Sequence, residues 1–162
     1  MRYTSRRIFR AGFAAGFLYV ASATGAIAAY PDIPECPGAE PLSYSMRSWK
    51  QIHDYYLRYK SWCIDGSLGE GLADSVVQTL YLHWDSLPAL AAHVKRDRRF
   101  LPWVLNRIQV MSDDSSEEQL AEIILRSRSQ CHSGLGSICR QIEDRAVYIL
   151  HGINSPTLIR LR

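Results

Sequence analysis

The sequence holds no run of alternating apolar and polar residues longer than a few positions, which excludes a substantial β-sheet, and no internal repeat. It lacks a His-Glu-x-x-His pair for a catalytic zinc, and its cysteines nowhere adopt the Cys-x-x-Cys spacing of zinc knuckles. A Gly-x-Ser-x-Gly elbow is missing too, so nothing points to a serine hydrolase. The glycines of "DGSLGEG" have no Gly-Lys-Ser/Thr after them and do not make a phosphate-cradling loop. They read as a turn or the loosened start of a helix. No catalytic set, metal site or cofactor is therefore expected.

Acids are also missing from the start of the chain. None precedes Asp32, whereas Arg2, Arg6, Arg7 and Arg10 all do. Bases followed by the uncharged, Ala- and Gly-rich "AGFAAGFLYVASATGAIAA" have the order of a secretory leader, and Ala26-Ile27-Ala28 supplies the small-x-small pattern of a cleavage site. Residues 1–28 are expected to be a signal peptide, leaving no stable membrane anchor and placing the protein in the periplasm or outside the cell. "SRRIF" also resembles the twin-arginine export motif, although Arg10 and Ala11 stand where Leu and Lys usually follow. With no cofactor site to fold around, general secretion is the favoured route.

The leader holds four of the 19 basic residues and none of the 16 acidic ones, so the remainder carries 15 bases against 16 acids, a formal charge of −1. A near-neutral domain lacks the field that draws proteins to nucleic acid, and no such partner is expected. About 130 residues are left, enough for one domain and one core.

That remainder contains Cys36, Cys63, Cys131 and Cys139. An even set in an oxidising compartment reads as structural disulfides, and the spacing disfavours a metal site built from cysteines with His132. Three pairings are open. Local geometry favours Cys131 with Cys139, because Gly134 and Gly136 turn the chain between two helices. The loop-entropy model assigns about 2.5 kcal/mol to that bridge and about 3.5 kcal/mol to a Cys36–Cys63 bridge.

Helical periodicity fills most of the remaining chain. Four prolines make residues 29–44 an extended lead-in. Trp49, Ile52, Tyr56, Tyr59 and Cys63 then lie on one face of a helix from about 45 to 63. Ala73, Val77, Leu80 and Trp84 form a second apolar face. "DSLP" caps a short helix with Asp85 or Ser86 before Pro88. A further helix starts near Arg98 or Arg99, with Leu101, Leu105 and Ile108 toward the core. Ser115 and Glu118 match a capping box for the next helix. The last runs from about 137 to 150, ended by Gly152. The predicted fold is all-α: a compact bundle of five or six helices over 45–152 with short turns and disulfide staples, then a flexible tail over 153–162.

Few residues suggest chemistry. His53, His83, His93, His132 and His151 are scattered and read as surface or capping groups. Glu70 and Asp74, one helical turn apart, are an acidic pair that invites comparison with a glycosidase, but acids in a first turn are common dipole partners. The basic run "KRDRRF" reads as a solvated helix junction. Trp103 is expected to point away from the core stripe of its own helix, toward Arg99 and Arg107. Tryptophan and arginine are the residue types that anchor protein interfaces, so Arg99, Trp103 and Arg107 are the candidate partner-binding residues.

"YLRYKSWCIDGSL" places a cysteine late in the first helix of a small, exported, disulfide-bearing helical chain. In this segment and in overall layout the sequence resembles the periplasmic immunity proteins that block type VI secretion amidases. The resemblance implies a protein partner, a toxin whose active site is plugged, and no turnover. It carries no functional residue over. The alternatives are a small cell-wall or envelope enzyme and a structural envelope protein.

Overall fold

The computed structural model describes residues 36–59, 62–111 and 114–154, all within one compact unit. The leader and the end of the tail lie outside these residues. The fold is all-α. Seven α-helices are described: α1 Ala39–Ser45, α2 Trp49–Tyr59, α3 Ser67–Leu82, α4 Leu87–Arg96, α5 Phe100–Leu105, α6 Asp114–Ser129 and α7 Gly136–Gly152, with a 3₁₀ turn over Trp84–Ser86. None of the helices described is long and apolar enough to cross a membrane.

The helix stripes read from sequence supply the core. Trp49, Ile52 and Tyr59 of α2 are buried, as are Ala73, Val77 and Leu80 of α3 and Ile142 and Ala146 of α7. Tyr55 takes the deep position on α2, and Tyr56 lies half-buried at its edge. Pro88 sits in the first turn of α4, where a missing N–H leaves no bond unmade. Ser86 does not cap that helix through its side chain; its hydroxyl donates backward to the His83 carbonyl. Because α6 begins at Asp114, Ser115 falls inside the first turn instead of at the cap. Ser116 stitches this end to the preceding loop, its hydroxyl bonded to both the N–H and the carbonyl of Met111 at 3.1 Å.

The lead-in is not extended to its end, because α1 occupies Ala39–Ser45. Pro41 lies in the first turn, where helices accept proline, and Gly38 turns the chain into the helix at φ +72°. Of the two readings of the glycine-rich stretch, the helix start is the one observed: α3 begins at Ser67 and carries Gly69 and Gly71 inside it. Gly71 is where α1 crosses. A Cβ there would collide with Ser43 Oγ and stand 2.8 Å from the Tyr44 ring. Ser75 Oγ holds the same crossing by donating to the Ser43 carbonyl at 2.5 Å.

Both disulfides form, Cys36–Cys63 and Cys131–Cys139, with Cα separations of 5.8 and 6.1 Å. Two tyrosines of α2 brace the first: Tyr55 Oη donates to the Cys63 carbonyl at 2.8 Å, and Tyr59 Oη to the Pro37 carbonyl at 2.9 Å. Burial pushes the Tyr55 hydroxyl up to about 12, so it stays a donor throughout the ordinary pH range. The second bridge clamps the α6–α7 hairpin, whose link turns at Gly134 with φ +80°. These contacts leave α2, α4 and α5 to meet at one corner.

Candidate partner-binding face

Rings fill that corner. His53 and Tyr56 reach it from α2, His93 from α4, and Phe100 and Trp103 from α5. The His53 and His93 rings lie 4.2 Å apart, tilted by 31°. Phe100 meets His53 edge-on at 4.8 Å, and Trp103 stacks on Phe100 and meets Tyr56 edge-on at 5.3 Å. Arg107 then lies over the Trp103 ring, its guanidinium carbon 5.3 Å from the centroid.

Asp97 ties the helices together. Its carboxylate accepts from Tyr56 Oη and from the Arg99 N–H, each at 2.9 Å. The Arg99 backbone bond, and after it the Tyr56 bond, holds the Asp97 carboxyl below the usual carboxylate range. Tyr56 is pushed the other way, first by burial and then by Asp97. Burial is also the main cause that lowers His93, followed by the charges of His53 and Arg96. Arg107 is lowered by burial, with Asp65 and Tyr55 opposing.

Not every polar group in the corner is met. Of the six buried side-chain polar atoms that have no hydrogen-bond partner among the described residues, four belong here: His53 Nε2, His93 Nδ1, Trp103 Nε1 and Arg107 Nε. Each such group costs about 1–3 kcal/mol when left unmet. Such a concentration on one half-exposed corner marks it as the strongest candidate site.

The structure joins the three residues chosen from sequence through Tyr56, since Arg99 bonds the Asp97 that holds Tyr56, and Tyr56 touches Trp103. Trp103 lies beside Arg107 on the side of α5 that the helix's own apolar stripe leaves uncovered, but it is not free there: α2 crosses that side, and the ring is half-buried and packed on the core. Arg107 is half-buried with it, and Arg99 is exposed. Sequence reasoning missed the histidine pair. One signal was available: His53 lies four residues after Trp49 and three before Tyr56, at the edge of the α2 core stripe.

Other candidates do not assemble. Glu70 is exposed, and Asp74 pairs with Arg47 at 3.9 Å while lining a separate hollow with Tyr44, Gln78 and Met111. Among the described residues no three His, Cys, Asp or Glu side chains are grouped to hold a metal ion. No family model, curated protein or solved structure matches the chain.

Proposed function

We propose that the chain is an exported helical module that binds another protein, acting as an inhibitor or immunity protein against a toxin of the cell envelope. The observation that carries this reading is the corner of α2, α4 and α5, where an indole and a guanidinium keep buried donors unmet at a half-exposed surface. Groups of these types, partly desolvated and held in place by neighbours, make interface hot spots. Two disulfides suit an oxidising compartment, in keeping with export to the periplasm or beyond. The basic, acid-free leader supports the same route.

The test is capture from periplasmic extract with the tagged, oxidised protein. A stoichiometric partner that binds the native chain and is lost with Arg107→Glu supports the proposal. Retention of no partner, or the same proteins by native and variant chains, overturns it. N-terminal sequencing of the exported protein checks the compartment: a chain beginning at Met1 contradicts cleavage.

A further inference from the structure

The charges that the α4–α5 segment brings to the corner are lopsided, with Asp54 and Asp65 acting on His93 and Arg107 from outside that segment. Between Asp85 and Asp113 the only acid is Asp97, against five bases, Lys95, Arg96, Arg98, Arg99 and Arg107, in a chain whose balance after the leader is −1. Lys95, Arg96, Arg98 and Arg99 are exposed on the last turn of α4 and the link to α5. None of the five forms an ion pair among the described residues, although Arg47, Lys50, Arg126 and Arg128 all do. Asp97 is already engaged by Tyr56 and the Arg99 N–H. The corner thus combines a basic rim with two unmet donors, Trp103 Nε1 and Arg107 Nε, and supplies no acceptor for either.

Resting on the binding-module reading, we infer that this corner receives an acidic segment of the partner protein, with a carboxylate that accepts hydrogen bonds from Arg107 and the Trp103 indole. A carboxylate fits the donor set. The guanidinium is a planar fork that matches two oxygens in one plane, and the indole gives one further N–H. Trp103 and Arg107 are each partly exposed while their Nε atoms are closed to solvent, so binding requires the Arg107 side chain to turn outward as the ligand arrives. The rim cations act earlier, steering an acidic surface toward the corner. Nucleic acid is the less favoured anion, because a short cluster in a near-neutral domain does not track a phosphate backbone.

The probe is a hexaglutamate peptide titrated into the full exported chain with both disulfides intact, followed by NMR at the Trp103 indole and Arg107 Nε–H signals. Saturable shifts at both are expected, and binding weakens as salt rises. Arg107→Gln is expected to weaken binding at least about tenfold. Arg99→Glu, at an exposed site that leaves packing untouched, is expected to weaken it and flatten the salt dependence. Linear shifts, equal binding by both variants, or stronger binding of phosphatidylglycerol vesicles or an oligonucleotide to the same signals overturn the inference. A captured partner that binds Arg107→Gln as well as the native chain but is lost with Arg107→Glu also overturns it while leaving the module reading intact. Hexaglutamate binding with no captured partner supports the chemistry of the corner and defeats the module reading instead.

Discussion

Arg126 and Arg107 each lie over an aromatic ring, at 5.6 Å from Tyr81 and 5.3 Å from Trp103, but they are treated differently by their neighbours. Arg126 Nε donates to Glu122 at 2.7 Å and its Nη1 to the Tyr81 carbonyl at 2.6 Å. Arg107 Nε has no acceptor among the described residues. The tryptophans divide in the same way: Trp84 Nε1 donates to the Gln130 carbonyl at 2.9 Å, and Trp103 Nε1 is unmet. One half of the molecule, built on α1, α3, α6 and α7, holds one of the six unmet atoms, Ser127 Oγ, and meets these larger donors internally. The other, at the meeting of α2, α4 and α5, keeps donors in reserve. The same pair of residue types is therefore hydrogen-bonded in one place and left without acceptors among the described residues in the other.

Removing covalent staples gives the largest expected effect. Cys36→Ser with Cys63→Ser is expected to cost about 3.5 kcal/mol, and Cys131→Ser with Cys139→Ser about 2.5 kcal/mol, both measured by denaturant unfolding. If the hairpin bridge costs nothing, the satisfied half is held by packing alone and the contrast loses its covalent part. Gly71→Ala comes next. Its new methyl group collides with Ser43 and crowds Tyr44, and overpacking of this kind costs about 1–3 kcal/mol. An unchanged midpoint would mean that α1 is not pressed onto α3.

The arginines themselves provide the sharpest comparison. Arg126→Gln removes two bonds and strands Glu122, for an expected loss of about 1.5 kcal/mol. Arg107→Gln removes a partly desolvated cation that forms no ion pair among the described residues and is offset only by the charges of Asp65 and Tyr55, so stability is expected to stay within about 0.5 kcal/mol or to rise. Equal losses in the two variants would show that the corner's guanidinium is structural.

Much of the fold was legible because its signals are local. Period-3.6 stripes locate Trp49, Ile52, Ile142 and Ala146, and two glycines between Cys131 and Cys139 announce the clamp. What was not legible depends on partners distant in sequence. Four prolines hide α1, since only the placing of Pro41 in a first turn rescues it. The need for a glycine at 71 appears only once α1 lies across α3. The candidate residues Arg99, Trp103 and Arg107 follow from composition and spacing, but Asp97, Tyr56 and the histidines that complete the corner come together from helices 40 residues apart along the chain. A periodic pattern reports which side of a helix is apolar, not which helix will cover it.

The smallest expected effect concerns pH, and it isolates the corner from the rest. His93 is held below its ordinary value of about 6.5, so the unfolded chain binds a proton before the folded one does. The sign follows: this contribution to stability is complete above about pH 6.5 and is lost as the pH falls from there through the lowered folded value. Burial dominates the shift, and His53, Arg96 and Lys50 add to it, with Asp54 opposing. His93 also faces a hollow shared with Arg47, His83 and Asp85. Asp54 and Asp97 are themselves lowered, so their contributions are lost only below about pH 4 and do not overlap with the histidine window. His93→Phe keeps a ring against His53 and Phe100 but cannot titrate. Denaturant midpoints at about pH 7.5 and about pH 5 should therefore differ less in the variant than in the native chain. The hydrogen-bonded pairs of α6 and α7 contain no histidine, so the added acid sensitivity of the native chain should appear as faster amide exchange in α4 and α5 while α6 and α7 stay protected. Uniform loosening of all four helices would mean that the two halves answer to acid as one body, and that the unmet histidine nitrogens do not set the corner apart.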